Sequence, residues 1–502
     1  MQKNVLEYLE GAVGSKAQKP AYVDNQTSLS FQDVYQRSRS IGTFLSKKHY
    51  KEPIVVFMGK SPRTITAFYG VLYSGNYYVP IDGEMPYHRI ELIFKNLNPR
   101  AVICHGEQIK TLRDFSYDGE IYIYEDIINS EINEEKLDEI RERQIDTDPI
   151  YIVFTSGSTG MPKGVVASHK SVIDYVDNLS DILAFSEDTV FGNQTPLYVD
   201  ASLKELYPTL KFAATTYLIP KELFMFPLQL VEYLNEHKIN TICWVVSALT
   251  MISSLGAFDK EIPKYIHTVA FGSEVFPIKQ FRLWKEALPN ARFVNLYGPT
   301  EATGMSCYYE VNRSFELDEA IPIGRPFNNT DVMLLNGDNQ LVTDGEEGEI
   351  CIRGTSLTLG YYNDLERTRD SFVQNPLNPH YPETIYRTGD IGKYNEYGEL
   401  VFVSRKDNQI KHMGHRIELG EIEMAANMAP NVNYAVCLFD ENKKRIILIY
   451  TGEATTAEMA EFLKGKLPRF MVPNRIRKID SMPFTTNGKV NRNLLKEEYT
   501  RR

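Results

Sequence analysis

Residues 151–170 read YIVFTSGSTGMPKGVVASHK, in which an apolar run leads into a loop of hydroxyl and glycine residues before a second apolar run begins. The first run predicts a buried strand that ends where the loop starts. Glycine lets the backbone approach a ligand closely, and amide and hydroxyl groups donate to phosphate oxygens. The loop does not fit the Walker pattern, because Gly164 rather than Ser or Thr follows Lys163. By itself the stretch indicates either an anion-binding loop or a solvated turn.

Apolar runs of strand length alternate with amphipathic stretches on both sides of this loop. This alternation predicts layers of helices on parallel sheets, an α/β fold. After residue 340 the strands are separated by Gly, Asn and Asp turns, which favours antiparallel or α+β packing. The strand-like runs are PIVVFM (53–58), AVICH (101–105), IYIVF (150–154), TICWVV (241–246) and HTVAFG (267–272), and the helical stretches are SFQDVYQRSRSIGTFLSKK (30–48) and KQFRLWKEAL (279–288).

The bulk properties narrow the class of protein. A chain of 502 residues exceeds what one hydrophobic core usually supports, so we expect two or more domains. The charged segment SRKDNQ (404–409), which has no apolar residue, predicts a domain boundary. A net charge of −11 argues against nucleic acid as the main partner. The chain opens without a signal peptide and has no run long enough to cross a bilayer, so we expect no membrane partner and a cytoplasmic location. The five scattered cysteines predict reduced core thiols.

The full string YIVFTSGSTGMPKGV closely resembles the phosphate-loop signature of the adenylate-forming superfamily, which includes nonribosomal peptide synthetase adenylation domains, acyl-CoA ligases and luciferases. Other signatures of that superfamily follow in their expected order across nearly the whole chain. They are LSFQDVYQRS (29–38), LYSGNYYVPIDGEMPYHRI (72–90), YVDASLKEL (198–206), NLYGPTEAT (295–303), GEICIRGTSLTLGYYND (348–364), YRTGD (386–390), SRKDNQIKHMGHRIELGEIE (404–423) and TTNGKVNR (485–492).

The resemblance implies a large N-terminal domain, residues 1–403, of layered α/β subdomains with a β-barrel-like part. It also implies a hinge at 404–407, with Asp407 as the hinge residue, and a small mobile α+β domain at 408–502. The implied reaction has two steps, in which a carboxylate attacks the α-phosphorus of ATP and a thiol then attacks the acyl-adenylate. ATP, Mg²⁺ and a phosphopantetheine carried by a partner are the implied cofactors. We expect a peptidyl or acyl carrier protein in trans, because no carrier-like serine motif follows TTNGKVNR.

The resemblance assigns the nucleotide site residue by residue. Glu301 matches the Mg²⁺ ligand and Thr300 lies beside the α-phosphate, with Asn295 in the same nucleotide-binding motif. Tyr297 would offer its ring face to adenine, although a tyrosine in an apolar run is also typical of a core. The loop residues assigned to the β- and γ-phosphates are Thr155, Ser156, Gly157, Ser158, Thr159, Gly160 and Lys163.

Further assignments fall in the last part of the chain. Asp390 matches the carboxylate that binds the ribose hydroxyls, and Arg405 would assist there. Lys489 matches the lysine that the C-terminal domain brings to the α-phosphate for adenylation. Met413 stands where the superfamily usually has arginine, on the face expected to meet the thiol.

Asp200 occupies the position where amino-acid-activating members keep a carboxylate for the substrate ammonium, which favours an amino acid over a fatty or aryl acid. Lys204 points to a substrate side chain with negative charge, such as glutamate; alternatively it pairs with Glu205 or extends to solvent. The aligned pocket positions are Asp200, Ala201, Lys204, Ser247, Val269, Phe271, Leu296, Gly304 and Met305.

Three alternatives stay open. ELYPTL (205–210) and GSEVFP (272–277) resemble stretches of D-alanine–carrier protein ligases, in which Lys204 would have no purpose. An acyl- or aryl-CoA ligase would share the fold and the first step but not the role of Asp200. A non-catalytic nucleotide sensor would not need Lys489, Glu301 and the loop to be intact together.

Overall fold

The computed structural model describes residues 2–156, 161–317, 319–343, 345–406, 409–483 and 490–500, apart from the side chain of Asn493. Its contacts divide the chain into two compact units, the first formed by 1–83, 99–153 and 164–406 and the second by 84–98, 154–163 and 407–502. The mobile hinge stays a prediction. The predicted site residues outside the described ranges are Gly157, Ser158, Thr159, Gly160, Asp407 and Lys489.

The strands and helices alternate as expected. The strands are β1 Pro20–Val23, β2 Ser28–Ser30, β3 Pro53–Phe57, β4 Tyr77–Ile81, β5 Ala101–Cys104, β6 Glu120–Ile123, β7 Pro149–Thr155, β8 Lys163–Ser168, β9 Val190–Asn193, β10 Thr215–Leu218, β11 Thr241–Val245, β12 Thr268–Gly272, β13 Arg292–Tyr297, β14 Cys307–Glu310, β15 Arg325–Pro326, β16 Thr330–Leu335, β17 Gly348–Gly354, β18 Phe372–Gln374, β19 Thr384–Tyr394, β20 Leu400–Arg405, β21 Gln409–His412, β22 His415–Glu418, β23 Val432–Asp440, β24 Arg445–Gly452 and β25 Arg475–Lys478. The helices are α1 Leu6–Lys16, α2 Phe31–Leu45, α3 Pro62–Tyr73, α4 Tyr87–Leu97, α5 Ile109–Asp114, α6 Tyr124–Ile127, α7 Glu134–Arg143, α8 His169–Leu183, α9 Leu203–Phe212, α10 Pro227–Glu236, α11 Val246–Ser254, α12 Ile278–Ala287, α13 Leu365–Ser371, α14 Leu419–Asn427, α15 Thr456–Lys464 and α16 Arg492–Thr500.

Two largely parallel sheets build the first unit. One has the order β6-β5-β3-β4-β7-β8, and the other has the order β15-β14-β13-β12-β11-β9-β10-β1-β2. In the second sheet β9 to β13 pair in parallel, while β2, β14 and β15 are antiparallel additions toward its edges. Every residue of β11 and β12 is buried, as the continuous apolar runs predict for strands covered on both faces. The predicted α/β layering is therefore confirmed.

The nine-stranded sheet carries a separate hydrophobic core on each face. Cys243, Ala270, Val294 and Leu296 belong to the core that contains α8 and α9. The alternate residues of the same strands, such as Trp244, Val269, Phe271 and Phe293, belong to the core that contains α10, α11 and α12. This alternation follows from the two-residue period of a strand and decides which side chains can share a pocket.

A five-stranded antiparallel sheet completes the first unit and corresponds to the predicted barrel-like part. Its order is β16-β17-β19-β18, with β20 paired to β19. β19 is the longest of these strands and carries Asp390 directly opposite Arg405 of β20. The register of this hairpin therefore brings two predicted site residues together.

The second unit has the expected α+β texture. β21 and β22 form a hairpin whose two-residue turn, Met413–Gly414, has positive φ at both positions. β23 pairs antiparallel with β24, which pairs in parallel with β25. Side chains of α14 and α15 pack with β23 and β24 in one hydrophobic core.

Two general expectations can be checked directly. All five cysteines are buried and free, which confirms the predicted core thiols. Among the described helices none combines the length and the apolar character needed to cross a membrane.

Helices α2 and α3 approach each other so closely that only glycine fits at the crossing. A Cβ atom on Gly70 would lie 2.5 Å from Ile41 Cβ, and one on Gly42 would lie 2.6 Å from Tyr73 Cβ. Both distances are far below van der Waals contact, so the two glycines fix the spacing of this helix pair.

We expect Gly70→Ala to lower the free energy of unfolding by about 1–3 kcal/mol, because the added methyl group overpacks the helix crossing. The matched control is Gly14→Ala on α1, where a Cβ atom would meet nothing within 4 Å. That change should stabilise the helix by up to about 1 kcal/mol through helix propensity. Thermal unfolding midpoints measure both effects, and shifts in the same direction for the two variants would contradict the assigned packing.

Candidate functional site

The candidate site lies at the carboxyl ends of adjacent parallel strands in the nine-stranded sheet. Asp200 follows the end of β9, Ser247 follows β11, Glu274 follows β12, and Thr300 and Glu301 follow β13. These strands are neighbours in the order β13-β12-β11-β9. Loops after the carboxyl ends of parallel strands meet at one edge, which is the usual place for ligands in open α/β sheets.

Asp390 is held between two donors. Tyr297 Oη donates to Asp390 Oδ2 over 2.6 Å, and Arg405 Nη1 donates to Asp390 Oδ1 over 2.7 Å. Arg405 Nη1 also donates to the Thr388 carbonyl over 2.7 Å. A carboxylate has about four acceptor positions, so each oxygen retains capacity for a further donor such as a diol hydroxyl.

Tyr297 lies in a buried hydrophobic cluster. Burial, and to a smaller extent the negative charge of Asp390, raises the pKa of its phenol well above the ordinary value. Its phenol therefore stays protonated and keeps donating. The structure thus uses the hydroxyl of Tyr297 to orient Asp390, and the contact of its ring face with adenine stays a prediction.

Glu301 lies in a short 3₁₀ turn, Thr300–Ala302, and is fully buried. Its Oε1 atom accepts a hydrogen bond from Tyr361 Oη over 2.7 Å. Its carbonyl accepts from the amide of Thr358 over 3.0 Å and from Thr358 Oγ1 over 2.9 Å. These bonds fix the turn and the direction of the carboxylate.

The donor set suits a magnesium ion that is bound mainly through substrate. Mg²⁺ prefers hard oxygen ligands and often takes only one or two protein carboxylates, with phosphates and waters completing the shell. In the described ranges no group of three or more His, Cys, Asp and Glu side chains could hold a metal ion. Glu301 is therefore a chemically suitable single ligand for a nucleotide-bound Mg²⁺.

Asn295 makes contacts that the sequence did not predict. Its Nδ2 atom donates to the carbonyl of Pro322 over 2.8 Å and to that of Ile321 over 3.4 Å. The amide thereby fixes the chain before β15. A nucleotide contact by Asn295 stays a prediction.

Asp200 begins a 3₁₀ turn, Asp200–Ser202, and Ala201 beside it is half-buried. Burial raises the pKa of Asp200 above its ordinary value, while a hydrogen bond with Thr300 and the positive charge of Lys204 oppose the shift. The structure thus brings the carboxylate predicted for the substrate ammonium to the residue predicted beside the α-phosphate.

Lys204 is only 1% exposed, so it does not extend to solvent. Among the described residues its Nζ atom has no hydrogen-bond or ion-pair partner, and in particular it forms no ion pair with Glu205. Glu205 instead accepts a hydrogen bond from Asn193 Nδ2 over 3.2 Å, and burial raises its pKa to about 7. Much of Glu205 is therefore uncharged near neutral pH, and it cannot fully cancel the charge of Lys204.

The predicted pocket positions on β12 and β13 belong to two different hydrophobic cores. Leu296 and Met305 share a core with α8 and α9, whereas Val269 and Phe271 belong to the core on the opposite face of the sheet. Because successive residues of a strand face opposite sides, Ala270 shares the face of Leu296, and Gly272 follows with the same parity. The prediction that Val269 and Phe271 line one pocket with Leu296 and Met305 stays a prediction.

The remaining pocket positions, Ser247 and Gly304, lie after β11 and β13. The amide of Ser247, at the start of α11, donates to Glu274 Oε2 over 2.9 Å. Gly304 has a φ of +86° and faces the ring of Tyr175.

The described part of the phosphate loop belongs to the second unit. Ser156 Oγ donates to the carbonyl of Arg416 over 2.7 Å, and Asn96 Nδ2 donates to that of Pro162 over 3.1 Å. Thr155 Oγ1 is buried and has no hydrogen-bond partner among the described residues, and Lys163 is buried. The phosphate contacts of these residues stay predictions.

Three polar residues at the site were missed by sequence reasoning. Tyr361 lies within a quoted signature, and its position beside Glu301 could have been suspected there. Glu274 follows a strand end, which is a usable signal. Tyr175 lies on an amphipathic helix and is indistinguishable from an ordinary core residue in sequence.

Comparison with known proteins agrees with this geometry. A family model described as AMP-binding enzyme matches residues 9–362. Tyrocidine synthase 1 of Brevibacillus parabrevis is 30% identical over 99% of this chain and 45% of its own length. The chain thus spans less than half of that relative.

Two solved structures share the fold. The Vibrio cholerae adenylation domain AlmE, in complex with glycyl-adenosine-5'-phosphate, has a TM-score of 0.84 at 19% identity, covering 100% of this chain and 98% of its own. The holo form of PA1221, an NRPS protein containing adenylation and PCP domains, has a TM-score of 0.83 at 23% identity. The match covers 99% of this chain and 84% of the PA1221 chain. With the family match, these similarities confirm the predicted resemblance and fold class.

The raised pKa of Glu205 predicts a specific pH dependence of stability. Between the ordinary value of 4.5 and the folded value of about 7, the folded protein retains a proton that the unfolded chain has lost. Rising pH therefore destabilises the wild type relative to Glu205→Gln, by at most about 1.4 kcal/mol per pH unit, and the difference levels off above pH 7. Thermal unfolding of both proteins from pH 5 to pH 8 measures this difference.

The control variant is Glu135→Gln, which removes an exposed carboxylate on α7. Parallel stability curves for the wild type and Glu205→Gln would contradict the assigned burial effect.

Proposed function

The chain belongs to the AMP-binding enzyme family, and on that premise we propose that it activates an amino acid as its aminoacyl-adenylate and passes it to a carrier-bound thiol. The observation that carries the proposal is that Asp200 and Thr300 follow the carboxyl ends of β9 and β13 in one sheet, and that Thr300 lowers the pKa of Asp200. An amine-binding carboxylate adjoins the residue predicted beside the α-phosphate. A bound amino acid could therefore present its carboxylate to phosphorus while its ammonium stays on Asp200.

The proposed first step rests on positioning and on neutralisation of charge. Asp390, oriented by Tyr297 and Arg405, would bind the ribose diol. Mg²⁺, when bound, would neutralise phosphate charge, with Glu301 as its protein ligand. Lys489 would approach the α-phosphate and the attacking carboxylate. Preorganised charges of this kind favour the transition state over the bound substrate.

Amino-acid activation is favoured over acyl-CoA formation because Asp200 is a half-buried carboxylate whose pKa is raised by burial. A carboxylate in a dry site is costly unless a cation joins it, and an amino-acid ammonium supplies that cation. Fatty and aryl acids would leave the carboxylate without a partner. AlmE, whose structure contains glycyl-adenosine-5'-phosphate, is a relative in fold whose ligand has an amine.

The proposed substrate has an acidic side chain, because the buried ammonium of Lys204 has no partner within the described chain. A distal carboxylate would neutralise it. D-alanine is the second candidate, on the resemblance of ELYPTL and GSEVFP. A small apolar side chain would leave Lys204 unpaired.

The proposed acceptor is the phosphopantetheine thiol of a peptidyl or acyl carrier protein supplied in trans. The similarity to PA1221, a protein containing adenylation and PCP domains, supports this class of partner. We place the reaction in the cytoplasm, where ATP is available and the five buried thiols would stay reduced.

Amino-acid-dependent exchange of labelled pyrophosphate into ATP, screened over a substrate panel, tests the proposal. We expect acidic amino acids to support the fastest exchange. Lys204→Met should reduce kcat/KM for the acidic substrate by about tenfold or more, since the substrate carboxylate would be buried without its cation. A faster reaction with D-alanine, or an equal loss for every amino acid, would refute the role of Lys204.

Lys489→Ala should lower the rate of pyrophosphate exchange by about a hundredfold or more, because an ammonium that neutralises the transition state is lost. Thioester formation from supplied aminoacyl-adenylate should be largely spared. Lys496→Ala, at an exposed lysine on α16, is the matched control. Equal loss in both half-reactions would contradict the assigned role.

A further inference from the structure

A second polar group on the Lys204 side of the sheet lacks a partner. Tyr175 lies on α8 and is 1% exposed. Its hydroxyl has no hydrogen-bond partner among the described residues. Buried phenol hydroxyls are normally satisfied, so an unsatisfied one inside a ligand-binding fold calls for a partner.

The hydroxyl end of Tyr175 lies at the predicted substrate pocket. A Cβ atom on Gly304 would lie 3.5 Å from Tyr175 Cζ and 3.7 Å from its hydroxyl oxygen. The ring stacks on Phe327, with centroids 6.3 Å apart and an interplanar angle of 22°. The phenol is therefore held by packing with its polar end toward Gly304.

The electrostatic neighbours of Tyr175 are those of the amino-acid site. Burial is the largest cause of the raised pKa of Tyr175. The other groups that raise it are Cys243, Asp200, Glu205 and Tyr151. Cys243 in turn interacts with both Glu205 and Lys204. Tyr175 and Lys204 thus share Asp200, Glu205 and Cys243 as electrostatic neighbours, and Tyr175 lies in the core that contains α8 and α9.

We propose that the Tyr175 hydroxyl donates a hydrogen bond to the distal carboxylate of the substrate, beside the Lys204 ammonium. The inference rests on the proposed function and adds a specificity-determining residue to it. A carboxylate has two oxygens and about four acceptor positions, so it can accept from an ammonium and a phenol together.

The neutral phenol complements the charge of Lys204. A carboxamide substrate can also accept from a phenol but has no charge for the ammonium. An apolar substrate satisfies neither group. A site built around buried donors rejects analogues that leave those donors unpaired. Tyr175 and Lys204 together would therefore discriminate against amide and apolar analogues by different interactions.

The test is Tyr175→Phe in the full chain, assayed by pyrophosphate exchange. Removing an unpaired hydroxyl should leave the thermal midpoint unchanged or slightly raised. The KM for the preferred acidic amino acid should rise by about tenfold or more, with the KM for ATP unchanged. The KM for an apolar amino acid of similar size should not rise. This split distinguishes a substrate contact from a structural role.

Two further variants sharpen the result. Tyr124→Phe removes a hydroxyl from an equally buried tyrosine on α6 and should change neither KM. Tyr151→Phe tests the rival hydroxyl, which is also buried without a hydrogen bond and interacts with Asp200. A selective loss with Tyr151→Phe rather than Tyr175→Phe would overturn the assignment.

The outcomes separate this inference from the proposed function. If the wild type is fastest with a non-acidic amino acid, the proposed substrate class fails and this inference fails with it. If the wild type prefers an acidic amino acid and Tyr175→Phe raises KM equally for acidic and apolar substrates, or for neither, only the role of Tyr175 is overturned.

Discussion

Burying a charge away from water is costly unless another charge or several hydrogen bonds accompany it, and the candidate site depends on how this cost is met. Lys204 is buried on α9 and forms no hydrogen bond or ion pair with a described residue, although its charge lowers the pKa of both Asp200 and Glu205; burial raises the pKa of Asp200. An amino acid carries an ammonium and a carboxylate in a fixed arrangement. A site with a half-buried carboxylate and a buried lysine is complementary to a substrate that brings the opposite charge to each.

The parallel sheet makes such a site possible. Strands β9, β11, β12 and β13 lie side by side and end at one edge, where Asp200, Glu274 and Glu301 follow. Helices cover both faces of the sheet, and short turns bring the polar groups together at the strand ends. Two of the acidic groups are fixed by a hydrogen bond, Glu301 by Tyr361 and Glu274 by the amide of Ser247. Fixed dipoles of this kind need little reorganisation when charge develops.

The sequence predicted what depends on local pattern and missed what depends on packing direction. The apolar run HTVAFG predicts β12 correctly, but its residues are buried on both faces, so hydrophobicity does not tell which residue faces the pocket. The strand itself is confirmed, whereas the pocket role of Val269 and Phe271 stays a prediction. The burial of Lys204 and the unsatisfied hydroxyl of Tyr175 depend on contacts between distant segments, which a single sequence does not display. Asp390 was identified by its motif, whereas its orientation by Tyr297 required the register of β19 against β20.

The charges around the pocket also bear on which amino acid it suits. Lys60 is half-buried and donates to the carbonyls of Asn193 at 2.9 Å, Gln194 at 3.1 Å and Ile219 at 3.3 Å, at the ends of β9 and β10. Asn193 in turn donates to Glu205, whose pKa of about 7 leaves it partly neutral. Burial nevertheless lowers the pKa of Lys60 and raises that of Glu205, each to about 7, and Glu205 Oε1 has no hydrogen-bond partner among the described residues. We therefore propose Asp200 and Lys204, whose charges partly offset each other, as the two charges that a ligand completes. A small apolar amino acid would complete the first and leave the second buried alone, whereas an acidic amino acid completes both.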